Sequence, residues 1–453
     1  MKKFILFMTI ALVFLAGNLS AEGLDARVLW ESIYNGGYDD VTPYERAFTS
    51  STNSVATDSA GNSVVVGISF DGNQWGAYTV KYAGDTGNIL WSNATQNISY
   101  NIFPIGVTVD SNDDIFVVGN LGSGTEGTYV IKYSGIDGNI QWEKIFPQSK
   151  RADDMILDET NDLILTGTEF SLIWPWPTYF YTSKYDGITG DILWEKTSTD
   201  DKHCQSYAVA TDNTEDIFVT GFCATVNFQD HAYYTVKYNG NDGALLWQST
   251  LNSDYIEAPS AAGYDVAMDI ATEMSGDVFV TGTSYVVKYD GRTGGEIWKK
   301  TPGASGGSMP AKLSIDFEDN LIAAGGGKIV KYRNSTGEVV WANTFQRAEM
   351  NSPFYITVDK GNNILLVAEV HNGDTWSLYN YDYRTTKYHG ITGRIFWEKD
   401  FKGIANAHDV PSGITAGPFC NVIVTGKSYN GANYDLYTVK YAGGPSGCRG
   451  NLP

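Results

Sequence analysis

The chain has 453 residues, of which 13% are aromatic, 18% charged and 49 are glycine, and its formal net charge is −21. So acidic a surface, with no basic cluster to offset it, is unsuited to nucleic acid or anionic lipid. Length alone suggests two or three domains, but an internal repeat overrides that estimate.

Residues 1–21 read as a signal peptide. Lys2 and Lys3 precede an apolar run from Phe4 to Ala16, and Asn18 to Ala21 offer a cleavage site. The run is short for a spanning helix, and no later stretch approaches 18 apolar residues. With no cysteine near the cut, a lipid anchor is not expected. The mature protein, 22–453, is expected to be an exported monomer, periplasmic or at the cell surface, with no membrane span.

From residue 80 onward one pattern returns. Lys81-Tyr82 leads to Trp91, Lys132-Tyr133 to Trp142, Lys184-Tyr185 to Trp194, and Lys237-Tyr238 to Trp247. Lys288-Tyr289, Lys331-Tyr332 and Lys387-Tyr388 lead to Trp298, Trp341 and Trp397. Each tyrosine lies nine residues before its tryptophan, with a glycine four before the tryptophan. Lys440-Tyr441 has no tryptophan after it, and Trp30 has no Lys-Tyr before it; the two half-repeats complete each other.

Upstream of each Lys-Tyr stands a second pattern, as in VTVDSNDDIFVVG (107–119) and VATDNTEDIFVTG (209–221). It reads as strand, Asp/Asn/Gly turn, strand, the second strand being closed by glycine in seven copies of eight, with Ala368 the exception. A third strand ends in Lys-Tyr and a fourth in tryptophan. Four antiparallel strands, eight times over, predict an all-β eight-bladed propeller. Blade eight takes three strands from 412–441 and its fourth from 25–32, so the N-terminal strand closes the ring.

Period-two alternation places Val28, Ile89, Ile140, Ile192, Leu245, Val339 and Ile395 on the same face as the tryptophan two residues later, with Glu296 the odd one out. The eight tryptophans (Trp30, Trp91, Trp142, Trp194, Trp247, Trp298, Trp341 and Trp397) are read as packing between blades. The recurrent lysines, one per blade, are too dispersed to share a ligand; their stems cover strand surface and their ammonium groups meet carbonyls or acids. Cys204 and Cys223 flank one hairpin and are expected to be bonded. Cys420 and Cys448 are expected to pin the tail to the last blade.

Chemistry is sought on the face carrying the loops between second and third strands. These are nearly absent at 281–289 and 324–332 and long at 70–78, 170–181, 226–234, 371–383 and 428–437. They hold the tryptophans outside the ring pattern. Trp75, Trp174, Trp176, Tyr179, His231 and Trp376 form the candidate binding rim, suited to a protein or a glycan; the bland alternative is local packing. His203, His231, His371 and His408 fall on the same face, but from different blades and without H-x-x-x-H spacing, so no metal site and no catalytic set is assigned. The Asp-rich turns at 110–114 and 158–162 lack a twelve-residue calcium loop and are read as hairpin turns.

At YDGITGDILWEK (185–196) and YDGRTGGEIWKK (289–300) the repeat resembles the PQQ-like quinoprotein propeller family, whose Asp-x-x-Thr-Gly-x-x-x-Trp motif is matched by Asp186, Thr189, Gly190 and Trp194, and by Asp290, Thr293, Gly294 and Trp298. The upstream half also resembles short bacterial β-propeller repeats. The resemblance covers nearly all of 25–441 and implies eight blades locked by tryptophans. The family holds dehydrogenases and non-catalytic scaffolds, including an outer-membrane assembly lipoprotein. The dehydrogenases place two adjacent cysteines over their cofactor, and this chain has no such pair. No cofactor is therefore expected, and a binding or scaffolding module is the reading. The alternative is a PQQ- and calcium-dependent oxidoreductase or another propeller enzyme.

Overall fold

The computed structural model describes residues 26–34, 53–70, 74–95, 100–122, 127–146, 149–171, 177–198, 203–224, 231–252, 265–301, 311–348, 352–371, 381–403, 405 and 408–443, with the backbone of 40–41. Eight antiparallel sheets form the ring, six of them of four strands in sequence order. Blade two is representative: Ile102–Val109, Ile115–Leu121, Thr128–Tyr133 and Ile140–Phe146. The first strands of neighbouring blades contact one another around the ring, which makes them the innermost.

Blade eight is built from both ends of the chain. Its first three strands are Asp409–Ala416, Val422–Tyr429 and Tyr434–Tyr441, and Val28–Tyr34 pairs antiparallel with the third, Trp30 opposite Lys440. Blade one departs from the pattern: its inner position is shared by Val55–Thr57 and Asp40–Val41, both paired with Ser63–Phe70.

The residues two before each tryptophan do not share its buried face. Val28, Ile89, Ile140, Ile192, Leu245, Val339 and Ile395 are all exposed, while their tryptophans are buried or nearly so. A bulge opens every fourth strand. Tyr82 pairs with Ile89 but Lys81 with Trp91, leaving Leu90 as the extra residue, and the same shift recurs in all eight blades. One inserted residue breaks the alternation on which the expectation rested. Glu296, the exception by sequence, simply occupies the same exposed position.

The second-strand glycine closes its strand only in blades five and six, at Gly282 and Gly325; in the other five blades that carry it, it lies inside the strand, as Gly167 does in Leu163–Phe170. It faces a bulge in the inner strand, between Ala152 and Asp154, and a Cβ there would fall 1.8 Å from the Arg151 carbonyl oxygen. Blade seven has no shift between Phe354–Val358 and Ile364–His371, and there Ala368 is accommodated.

Candidate interaction face

The polar residues of the repeat are engaged in holding the ring. Lys81 Nζ lies 2.7 Å from Asp58 Oδ2 at the first hairpin turn of its own blade and donates to Gly135 O of the next blade at 2.7 Å. Lys132 does the same with Asp110 (2.9 Å) and Gly187 O (3.0 Å), and Lys387 with Asp359 (2.7 Å) and Gly443 O (2.7 Å). Lys184, Lys237 and Lys331 pair with Asp158, Asp212 and Asp316, and Lys288 with Glu273. Blade eight differs, since Gly417 stands where the other blades carry the acid. Lys440 keeps the carbonyl of Gly84 at 2.7 Å but has no ion pair among the described residues.

Each Asp also caps its own turn. Asp110 Oδ1 accepts the amides of Asn112 and Asp114, and Asp158 Oδ1 those of Thr160 and Asp162. The Asp-rich turns therefore spend their oxygens on backbone and lysine.

The opposite end of the ring is irregular. Only 326–327 separate the second and third strands of blade six, whereas 372–380 separate those of blade seven. Of the candidate rim, Trp75 opens the third strand of blade one, half-buried, its ring 5.0 Å from Phe70. Tyr179 is half-buried opposite Glu169. His231 is buried, its ring 4.8 Å from Phe222. Trp174, Trp176 and Trp376 lie outside the described residues. The four histidines divide into two places: His203 and His231 sit in blade four, His371 and His408 at blades seven and eight.

The second of these places holds residues that spacing did not single out. His371 and His408 flank Tyr381 at ring separations of 4.8 and 5.0 Å. The strip continues from His408 to Tyr434 (6.4 Å) and on to Tyr429 (5.3 Å), with Lys427 Nζ 5.3 Å above the Tyr434 ring. His408 Nε2 is 2.8 Å from Glu369 Oε1. Burial holds the carboxyls of Asp409 and Asp435 above their ordinary range, and burial brings the Arg347 guanidinium down to about 10. The loops were visible in sequence; their convergence on Tyr381 and Tyr434 was not.

Cysteines 204 and 223 face each other across the first hairpin of blade four and are disulfide-bonded. Cys420 is also disulfide-bonded, and its expected partner Cys448 lies outside the described residues. The inner strands carry Asp154, Asp269 and Lys312, and both carboxylates act electrostatically on the Lys312 ammonium. Asp154 Oδ2 accepts the amide of Val209 at 2.9 Å and Asp269 Oδ2 that of Leu313 at 2.7 Å, so each carboxylate ties its blade to the next. Among the described residues no three His, Cys, Asp or Glu side chains converge as a metal site.

A tryptophan-locked ring of eight four-stranded blades defines a propeller of the PQQ-like repeat type. The chain belongs to the family described as outer membrane protein assembly factor BamB, which matches it over residues 76–315 and 282–433. Among solved structures it is similar to BamB from Moraxella catarrhalis (TM-score 0.51, 11% identity, 92% of this chain and 97% of that one). It is also similar to quinohemoprotein alcohol dehydrogenase from Comamonas testosteroni (0.58, 11%, 96% and 79%) and to a europium-containing methanol dehydrogenase (0.54, 9%, 94% and 95%). At such identities the likeness carries the fold alone. No curated protein matches the chain in sequence.

Proposed function

We propose that this protein is an exported, non-catalytic propeller that holds a protein partner of the cell envelope on its loop face. One observation carries the reading: the regular half of each blade is consumed by inter-blade bonds, while the aromatic loops are unequal and concentrated away from blades five and six. The short pair would be the low lip of any groove, with the longer connections of blades seven, eight, one, three and four as its proposed walls. That shape favours an elongated partner such as a polypeptide over a compact one. Membership of a family named for an assembly factor supports the same class of partner. The rim residues Trp75, Trp174, Trp176, Tyr179, His231 and Trp376 are its proposed anchors, because large aromatics carry much of the binding energy at protein interfaces.

The test is a triple replacement, Trp174→Ala, Trp176→Ala and Trp376→Ala, in the mature protein. A partner recovered by cross-linking in its native envelope is expected to bind the variant about tenfold or more weakly, with unaltered thermal unfolding of the propeller. Equal binding by the variant overturns the proposal.

A further inference from the structure

Four residues before the repeat tyrosine stands a second tyrosine in six blades: Tyr78, Tyr129, Tyr181, Tyr234, Tyr285 and Tyr437. Its ring fills the wedge against the preceding blade. Tyr78 stacks on Tyr34 at 3.7 Å, Tyr234 lies 5.1 Å from Phe180, and Tyr437 4.3 Å from Phe401. In four of the six, Tyr78, Tyr129, Tyr234 and Tyr437, the hydroxyl meets the residue that follows the ring tryptophan, whereas that of Tyr181 meets Tyr185 and Ser183. Tyr129 donates to Glu143 Oε2 at 2.7 Å and Tyr234 to Gln248 Oε1 at 2.8 Å. Blade seven replaces the tyrosine with Arg384, which is satisfied by Asp400 and Gln346.

Blade six alone drops both halves of the arrangement. Lys328 stands in the tyrosine position and Ala342 in that of its polar partner. The consequence is a groove of about 520 Å³ between the outer strand of blade five and blade six, lined by Val330, Tyr332 and Ala342 and flanked by Lys300 and Lys328. Its volume lies within the ~300–1,000 Å³ of small-ligand clefts. Both lysines are half-buried, and neither has an ion pair among the described residues. Two uncompensated cations beside an apolar slot are unusual on a chain of net charge −21. They form a local attractor for anions on a surface that otherwise repels them.

We propose that this groove seats an aromatic side chain from an acidic segment of a partner protein. The incoming ring takes the place that six other blades fill with their own tyrosine, against Val330 and Tyr332, while Lys300 and Lys328 pair with carboxylates beside it. The seat uses none of the loop-face tryptophans, so it stands or falls separately from the reading above.

The test uses the mature protein and blocked peptides followed by calorimetry and saturation-transfer NMR. Acetyl-Glu-Tyr-Glu-amide is expected to bind, and its Glu-Ala-Glu and Lys-Tyr-Lys counterparts not to. The double variant Lys328→Tyr/Ala342→Glu rebuilds the Tyr129–Glu143 arrangement. It is expected to raise the melting temperature and to weaken the peptide by about tenfold or more. Lys300→Glu, at a half-exposed position, is expected to weaken it likewise without changing the melt, and it decides the matter should the double variant not fold. Undiminished binding by these variants, no binding to the native protein, or equal binding of the tyrosine-free peptide overturns the proposal. So does 4-hydroxyphenylacetate binding as tightly as the peptide, which marks a small-molecule site instead.

Discussion

Trp91 lays its indole across Gly138 of the following blade. A Cβ on that glycine would fall 2.7 Å from the ring, and its φ of 73° is one that side-chain-bearing residues rarely adopt. Trp91 Nε1 donates at 3.3 Å to the carbonyl of Gly135 in the same turn. The fixed spacing of glycine and tryptophan thus records two different contacts: each turn's glycine receives the tryptophan of the blade before it. Gly138→Ala is expected to destabilise the protein by about 1–3 kcal/mol through overpacking, and by more through the strained backbone. Urea unfolding measures it, and a neutral result would remove the docking account.

The repeated lysine permits one substitution to be compared in two seats. In blade seven both side chains of the Lys387–Asp359 pair are buried. Lys387→Met strands the carboxylate and is expected to cost about 3–5 kcal/mol. Lys440 faces no acid at the corresponding place, and burial lowers its pKa. Lys440→Met keeps the stem and leaves no charge unpaired, so less than about 1 kcal/mol is expected from the same measurement.

The ring also fixes the pH range of stability. Burial raises the Asp58 carboxyl, but hydrogen bonds from Lys81 and Asn62 outweigh it and leave it below 3.8; Asp212 behaves likewise through Lys237 and Thr214. A depressed carboxyl contributes stability that is present above its unfolded value and lost as pH falls through the folded one. At the alkaline end, burial pushes Tyr82, Tyr133, Tyr185 and Tyr388 up to about 12 from 10.0. The folded chain then holds protons that the unfolded chain releases, so stability falls as pH rises above about 10. A melting-temperature profile should fall at both ends, and phenolate absorbance should appear together with unfolding rather than before it.

Closure depends on the strand Val28–Tyr34. Removing residues 1–34 uncovers the edge of Tyr434–Tyr441 and deprives Gly84 of the Trp30 Nε1 bond at 3.1 Å. The truncated chain is expected to unfold less cooperatively and to associate through the open edge. Calorimetry with light scattering checks this, a monomeric two-state melt being the contrary result.

Blade number, strand order and the split eighth blade were legible because they repeat, and repetition averages away local accident. The exposed Ile89 and its equivalents were not, because a bulge is a property of the pairing, invisible to alternation within one strand. The strip from His371 through Tyr381 and His408 to Tyr434 joins two blades, and no spacing along the chain encodes that proximity. Lys328 and Ala342 are departures that a repeat alignment displays, but only the packing turns them into a groove.

The account rests on the loop face being where a partner is held. Hydrogen–deuterium exchange of the mature protein, free and bound to its captured partner, addresses this most directly. Protection confined to the loops at 70–78, 170–181, 226–234, 371–383 and 428–437 is the expected result. Protection at the opposite turns, around Ile136, Ile188 and Phe317, with none on those loops, would contradict it.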